Sequence, residues 1–161
     1  MNYGLHHLGD EDDVVVCNDD IAILTPQWLD VWQEHLDTKR GAVGAIGPIS
    51  NNVLNMQRIG YRAAEIQALP FISFFCVCLA KEALQAVGGL DERFGNGPFD
   101  DLDWSERAKA EDFILLVDRR VWVWHYGSQS MERSPDSQDR AAARALLVKK
   151  HPTVEEHLPP T

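Results

Sequence analysis

The sequence predicts an α/β protein, a mixed sheet flanked by helices in a single domain that spans residues 1–161. Apolar runs of strand length alternate with segments that carry helix signals, and no internal repeat or low-complexity block interrupts them. A chain of 161 residues with 45% hydrophobic content can also bury a substantial core. In sheets of this class, ligands bind at the carboxyl ends of strands.

The predicted elements follow from periodicity and from the residues at their ends. Pro26 favours the first turn of a helix, and Gly88 and Gly89 favour the end of another. A turn is expected at residues 48–52, and the polar stretch after it is a helix candidate. The predicted strands cover residues 14–17, 42–47, 71–80, 113–117 and 121–125. The predicted helices cover residues 27–39, 81–89, 101–109 and 137–150, the last within a tail that is helical from about residue 131.

Charge and composition exclude several classes of protein. With 25 Asp and Glu against 15 Lys and Arg, the formal net charge is -10, which argues against general nucleic-acid binding and against anionic membranes. The longest apolar stretch, residues 69–80, is too short to cross a bilayer, and a cytoplasmic location is expected. Cys17, Cys76 and Cys78 all lie in apolar runs and are odd in number, so they are interpreted as reduced core residues.

Three polar residues, Asn18, Asp19 and Asp20, directly follow the first strand. They are expected at the mouth of the sheet, where two close carboxylates repel each other unless a cation binds. Carboxylate oxygens suit Mg²⁺ or Mn²⁺, and such ions keep positions open for phosphate oxygens. The alternative is an Asx turn or a helix cap leading to Pro26.

A second acidic group lies in the segment "GGLDERFGNGPFDDLDWSER", residues 88–107. Asp100, Asp101 and Asp103 stand at the start of the predicted helix, where capping explains one carboxylate better than three. A carboxylate at a pocket edge can act as general base toward a hydroxyl. An EF-hand is rejected, because Glu106 stands where that loop needs glycine.

Two further segments could complete a site. His125 ends an apolar strand and could be an extra ligand for Mn²⁺, although a lone histidine there is more often structural. In "GPISNN", the group Gly47, Ser50, Asn51 and Asn52 could hydrogen-bond a hydroxyl-rich ligand, or could form a plain turn.

Taken in order, these segments resemble the family 2 glycosyltransferases, which have the GT-A fold. "NDD" looks like the family's metal and diphosphate motif, with Asn18 and Asp20 at its outer positions, and "TPQWLD" and "VGAIGP" match the segments that follow it. "GGLDERFGNGPFDDLDWSER" is similar to the family's Gly-Gly-Phe-Asp-Glu-x-Phe segment followed by Glu-Asp-x-Asp and an arginine. "HYGSQS" resembles its late histidine segment. The resemblance extends from Asn2 to about Ser130.

The resemblance implies roles for individual residues. Asp101 is the implied general base, with Asp100 where glutamate is commoner, and Asp20 and His125 are the implied ligands of Mn²⁺ or Mg²⁺. The implied substrate-binding residues are Asn18, Asp19, Gly47, Ser50, Asn51, Gly89, Asp100, Asp103 and Arg107. The implied reaction moves a sugar from a nucleotide diphosphate sugar, a UDP-sugar foremost, to an acceptor hydroxyl with inversion at the anomeric carbon.

The chain departs from the family pattern at its amino end. Residues 1–8 resemble the stretch that follows the family's base-binding half, so a truncated GT-A-like sheet is expected. Three alternatives stay open: a minimal enzyme that holds its donor through diphosphate and sugar, a pocket completed by a second copy or a partner subunit, or an inactive remnant. A binding module without turnover remains an alternative. A metal-dependent phosphotransferase or nuclease is a further alternative, but it lacks the basic surface expected for nucleic acid.

Overall fold

The computed structural model describes residues 2, 4–5, 12–53, 55–60, 64–95, 98–127 and 137–158. Most of the opening stretch 1–8, the end of the late histidine segment at 128–130 and the start of the predicted tail at 131–136 lie outside these residues. The described chain is a mixed α/β structure in which helices flank a six-stranded sheet. The predicted fold class is confirmed at this level.

The sheet has the strand order β1-β5-β3-β6-β2, and β4 pairs with β6 as well. Strands β3 and β6 run parallel, and every other pairing is antiparallel. The strands are β1 (Val14–Cys17), β2 (Ile21–Ile23), β3 (Val43–Ser50), β4 (Ile66–Leu69), β5 (Cys76–Leu79) and β6 (Ile114–His125). The α-helices are α1 (Trp28–Thr38), α2 (Lys81–Val87), α3 (Asp100–Ala110) and α4 (Ser137–Lys150), and short 3-10 helices cover Glu92–Phe94 and Pro152–His157.

Several sequence predictions are confirmed by these bounds, and others are wrong. The strand at 14–17 and the helix at 137–150 have the predicted limits. The predicted turn at 48–52 is wrong in its first half, because β3 continues through Ser50. The polar stretch is not helical in its described part, where a bridge joins Ser50 to Arg58 and β4 follows. Strands β2 and β4 were not predicted, because three or four residues are too few for a periodic signal. The strand predicted at 71–80 is wrong over 71–75, since β5 covers only Cys76–Leu79.

The two strands predicted at 113–117 and 121–125 form one strand with an irregularity between its halves. In the parallel pairing, Pro48 lies opposite Asp118, but the next residue of β3, Ile49, lies opposite Trp122. The three intervening residues of β6 form a bulge, which locally interrupts the ladder. The polar sequence between the two apolar runs therefore marks a bulge and not a chain reversal.

One edge of the sheet gathers the ends of five strands. The register places Cys17 opposite Cys76, Ser50 opposite Val123 and Ile21 opposite His125. The carboxyl ends of β1, β3 and β6 therefore meet the amino ends of β5 and β2. We call this the site edge, and it includes the 18–20 turn, residues 51–52, residues 74–75 and His125.

The cysteines depart from their predicted role at one position. Cys76 and Cys78 are buried in the core, as expected, but Cys17 is exposed at the end of β1. The apolar run that suggested burial ends at this residue, so its side chain reaches the site edge. The prediction that all three cysteines are core residues is wrong for Cys17.

Candidate active site

Asp20 and His125, the two predicted metal ligands, are in direct contact at the site edge. The Asp20 Oδ1 atom lies 3.2 Å from His125 Nε2, and both side chains keep about one seventh of their surface exposed, 15% and 14% respectively. Strand pairing fixes this approach, because Tyr126 donates its N–H to the carbonyl of Asp20 at 3.0 Å. The two residues are separated by more than 100 positions, so the sheet register brings them together.

The imidazole of His125 is held from several sides. Its Nδ1 lies 3.2 Å from the carbonyl oxygen of Asn52, and its ring stacks on Phe75 with centroids 5.4 Å apart. The amide of Asn51 accepts from the His125 N–H at 2.8 Å and donates to its carbonyl at 3.0 Å. Such outer contacts orient a histidine ring and fix which nitrogen carries a proton.

The contacts of His125 restrict how its two ring nitrogens can be satisfied. A carbonyl oxygen faces one ring nitrogen of His125 and a carboxylate faces the other, and both partners only accept hydrogen bonds. Two arrangements satisfy both nitrogens: a doubly protonated ring, or a neutral ring with a divalent cation between Nε2 and Asp20. One oxygen and one imidazole nitrogen suit Mn²⁺ better than Mg²⁺, which prefers oxygen ligands.

The candidate ligands that the structure brings together are Asp20 and His125. Within the described ranges, no group of three or more His, Cys, Asp or Glu side chains is placed to hold a metal ion. A two-ligand pair at a partly open edge leaves positions for water and phosphate oxygens, as is usual for ions that act on phosphates. Asn18 and Asp19 are exposed on the same turn.

Asp101, the predicted general base, stands in the first turn of α3. Its carboxylate accepts the N–H of Leu102 at 2.8 Å and a backbone hydrogen bond from Phe74. Burial, followed by the negative charge of Asp100, raises the pKa of Asp101 to about 7, and the backbone hydrogen bonds only partly oppose this. A carboxylate with a pKa near neutrality suits proton transfer at neutral pH.

The residue before α3 is in an unusual backbone conformation. Phe99 has φ 88° and ψ 3°, in the left-handed region, where residues other than glycine, asparagine and aspartate are rare. Outliers of this kind cost about 1–3 kcal/mol and cluster at functional sites. Phe99 lines the same cavity as Asp101, so the strained residue is part of the candidate site.

The dipeptide Phe74–Phe75 joins the two halves of the candidate site. Phe74 provides the backbone hydrogen bond to Asp101, and Phe75 stacks on His125. The carbonyl of Phe75 also accepts the N–H of Asn18 at 2.9 Å. Because neighbouring Cα atoms are about 3.8 Å apart, the candidate base and the candidate metal pair flank one short piece of chain.

A cavity of about 720 Å³ opens beside Asp101. On its floor, the Asn55 amide donates to Ser73 Oγ and to Gln57 Oε1, each at 3.0 Å, and the side chain of Gln57 is fully buried. The polar lining residues are Asn55, Ser73, Asp101, Glu106 and Lys109. The apolar lining residues are Met56, Leu69, Pro70, Phe71, Phe99, Leu102, Val154 and Leu158. This volume is in the range of small-molecule sites.

Asp103 and Arg107 are engaged with the protein itself. Asp103 is fully buried and accepts from Arg107 Nε at 2.9 Å and His151 Nε2 at 2.8 Å, with Lys150 as a third partner. Arg107 also donates to the carbonyl of Gly89 at 2.7 Å. A Cβ at Gly89 would lie 2.7 Å from Asn2 Oδ1, so this glycine allows a close packing contact. We therefore leave these residues out of the proposed substrate contacts.

Three residues of the "GPISNN" segment also have internal roles. Gly47 is in the middle of β3, where an added Cβ would lie 2.9 Å from both Gln57 Nε2 and Ile72 Cδ1. Ser50 is fully buried and pairs with Gln57 through its backbone N–H at 2.8 Å. Asn51 orients His125, as described above.

Asp100 lies beside the site, its Oδ1 accepting the N–H of Asp101 at 3.0 Å.

The residues that sequence reasoning missed are Phe74, Phe75, Asn55 and Ser73. The two phenylalanines fall in a predicted strand and carry no signal of a site. Asn55 and Ser73 come from segments on opposite sides of β4, and only the fold brings them to one cavity floor. A signal for Ser73 was its position as the polar residue within the apolar run 69–80.

Comparisons with family models, with curated proteins and with solved structures find no match to this chain. None of the helices in the described ranges combines the length and apolar character needed to span a bilayer. The candidate site therefore depends on its own geometry and on the resemblance of its motifs.

Proposed function

We propose that this protein is a metal-dependent, inverting glycosyltransferase of GT-A type, which moves a sugar from a nucleotide diphosphate sugar to an acceptor hydroxyl. The observation that carries the proposal is the position of Phe74–Phe75 between Asp101 and the Asp20–His125 pair. Sugar transfer of this kind needs a cation at the leaving diphosphate and a base on the acceptor side. The Asp20–His125 pair at the site edge is proposed for the first requirement, and Asp101 on α3 for the second.

In this proposal, Asp20 and His125 hold Mn²⁺, which, when bound, neutralises negative charge on the leaving diphosphate. The Nδ1 contact with Asn52 and the stacked Phe75 keep His125 Nε2 directed at Asp20. Asn18 and Asp19, exposed on the same turn, contact the donor. A UDP-sugar is the first donor to test.

Asp101 takes the proton of the attacking hydroxyl on the other side of the dipeptide. The acceptor occupies the cavity of about 720 Å³, because a general base must be within hydrogen-bonding reach of the proton that it removes. Asn55, Ser73 and Lys109 supply polar groups to orient acceptor hydroxyls, and the apolar walls exclude water. The pKa of about 7 allows Asp101 to be ionised before the reaction and protonated after it.

The test is a nucleotide-release assay on the purified chain with a panel of nucleotide sugars, in Mn²⁺, in Mg²⁺ and in chelator. We expect release from one donor with Mn²⁺, none with chelator, and a loss of at least about 100-fold in Asp20→Ala. Asp30→Ala is the matched control, because Asp30 is an exposed aspartate in the first turn of α1, on a different element from the site.

The outcomes separate the proposal from its alternatives. Donor binding by calorimetry without nucleotide release, with or without added acceptors, would indicate a binding module. Cleavage of a phosphate bond without sugar transfer to any acceptor would indicate a phosphotransferase or nuclease. Release that is unchanged in Asp20→Ala would contradict the role of this pair.

A further inference from the structure

Two cysteines face each other across the neighbouring strands β1 and β5 at the site edge. Cys17 is the last residue of β1 and Cys76 is the first residue of β5, and the antiparallel register places them opposite each other. Their Sγ atoms are 3.6 Å apart. The thiols are 59 positions apart in sequence, so the pairing is a property of the fold.

The backbone at this point matches the geometry of a disulfide. The N–H of Asn18 donates to the carbonyl of Phe75 at 2.9 Å, so Asn18 and Phe75 form a hydrogen-bonded pair. The next pair, Cys17 and Cys76, is therefore a non-hydrogen-bonded pair, in which Cα atoms are about 4.5 Å apart. Disulfides bridge Cα atoms about 4.4–6.8 Å apart, and the two Sγ atoms need to approach by about 1.5 Å.

The three cysteines differ in exposure and in acidity. Cys17 is exposed, and a hydrogen bond from Cys76 lowers its pKa, although partial burial opposes this. The pKa of Cys76 is raised by the same contact and by burial. Burial raises the pKa of Cys78 to about 12. Because the thiolate is the reactive form, Cys17 is the thiol that an oxidant reaches first.

We propose that Cys17 and Cys76 form a reversible thiol–disulfide site, oxidised by peroxides or by small disulfides such as glutathione disulfide. This inference does not depend on the proposed sugar transfer. The bond closes between the residues that precede Asn18 and follow Phe75, so it joins the two chain segments that build the site edge. Cys78 lies two residues further along β5, opposite Val15, and takes no part.

The chemistry with hydrogen peroxide balances in two steps. The Cys17 thiolate attacks one peroxide oxygen and the O–O bond breaks, so a sulfenic acid forms at Cys17 and hydroxide is released. The hydroxide takes a proton from solvent and becomes water. The sulfur of Cys76 then attacks the Cys17 sulfur, and the S–O bond breaks. The hydroxyl group leaves with the Cys76 proton as water, and two thiols have been oxidised while peroxide has been reduced.

The experiment uses the full chain, reduced and then freed of reductant. It is treated with hydrogen peroxide at about one equivalent or with glutathione disulfide, and free thiols are alkylated under denaturing conditions. We expect one alkylated thiol per chain in place of three, and a mass lower by two hydrogen atoms before alkylation. A reducing agent should restore all three thiols.

Peptide mapping identifies the bond. Trypsin leaves Cys17 in peptide 1–39 but leaves Cys76 and Cys78 together in peptide 63–81, so fragmentation between them at Val77 is needed to assign the partner. Cys78→Ala should retain the cross-link and Cys76→Ala should lose it. The wild-type map gives the assignment even if a variant fails to fold.

Three results would overturn the proposal. They are a bond from Cys17 to Cys78, a dimer linked through Cys17 of two chains, and oxidation or glutathionylation of Cys17 while Cys76 remains fully alkylatable.

Discussion

Asp101 and Asp103 lie two residues apart on helix α3, yet their surroundings are opposite. Asp101 lines a cavity, accepts hydrogen bonds from backbone N–H groups, and is subject to the negative charge of Asp100. Asp103 is fully buried beneath Arg107, Lys150 and His151. Burial acts on both, but only Asp103 gains cationic partners that outweigh it, so the pKa of Asp101 is raised to about 7 and that of Asp103 is lowered.

The comparison shows that partners decide the role of a carboxylate more than its sequence position does. A paired carboxylate holds its charge at all physiological pH values and serves as a structural anchor. An unpaired carboxylate next to a like charge is able to exchange a proton near neutral pH, which is the property that a general base needs. Asp103 fastens α3 to the end of α4, whereas the carboxylate of Asp101 lines the cavity.

The largest expected effect is the loss of turnover in Asp101→Asn. The amide keeps the shape and the contacts with the N–H groups of Leu102 and Phe74 but cannot accept a proton. We expect nucleotide-sugar turnover to fall by about 10²–10⁴-fold while donor binding changes less than threefold. Parallel kinetics and calorimetry measure the two quantities, and near-normal turnover would remove Asp101 from the mechanism.

The second effect is on stability, in Asp103→Asn. Removing this charge leaves the Arg107 and Lys150 cations facing a neutral amide, and we expect a loss of roughly 3 kcal/mol in the free energy of unfolding. Urea denaturation followed by circular dichroism measures it. Asp37→Asn is the control, since Asp37 forms an exposed pair with Arg40 and its loss should change stability little. Equal effects of the two substitutions would show that the Asp103 cluster is not an anchor.

The third effect is on how stability depends on pH. Asp101 binds its proton more tightly in the folded protein, with a pKa of about 7 against 3.8 in the unfolded chain. Its contribution to the free energy of unfolding is therefore fully present below pH 3.8 and is lost as the pH rises to 7. We expect Asp101→Asn to gain stability relative to wild type between pH 5 and pH 8, by at most a few kcal/mol, since one pKa unit is worth about 1.4 kcal/mol. Thermal melts across this range measure the gain.

Asp103 contributes to the same pH profile with the opposite sign. Its pKa is lowered in the folded protein, so its contribution is present above the unfolded value of 3.8 and is lost as pH falls below it. The Asp103→Asn variant should therefore differ most from wild type at neutral pH. If the difference in free energy of unfolding between Asp103→Asn and wild type grew larger in acid, this assignment would be contradicted.

The smallest effect concerns Asp100→Asn. Because the charge of Asp100 is the second cause of the raised pKa of Asp101, its removal should move the ascending limb of the turnover profile to lower pH, by less than about one unit. The amide oxygen can still accept the Asp101 N–H, so the helix start is retained. Rates measured from pH 5 to pH 9 give the limb, and a shift to higher pH would exclude repulsion between the two carboxylates.

The parts of the site that lie at strand ends were predictable from the sequence. Asn18, Asp19 and Asp20 follow one apolar strand and His125 ends another, and the rule that ligands bind at such ends predicted them at one edge. The approach of Asp20 to His125 follows from the register of β2 and β6. Most strand and helix positions were predicted as well, because long apolar periodicity is a strong signal.

The remaining parts depend on contacts that local sequence does not encode. Lys150 and His151 lie almost fifty residues after Asp103, and no residue near Asp103 in the sequence predicts the contact with them. Gly47 looks like a turn glycine in sequence, but the core closes over it from Gln57 and Ile72. Phe74 and Phe75 act through a backbone group and a ring face, which composition cannot reveal.

The most direct test of the difference between Asp101 and Asp103 is a carbon-13 NMR titration of the aspartate side-chain carboxyl groups from pH 2 to pH 9. We expect one carboxyl resonance to titrate with a midpoint near 7 and to disappear in Asp101→Asn. The carboxyl group of Asp103 should stay ionised down to a pH below the ordinary pKa of aspartate. A titration in which every aspartate has its midpoint below pH 5 would contradict the account, because Asp101 would then lack the property that separates it from its neighbours.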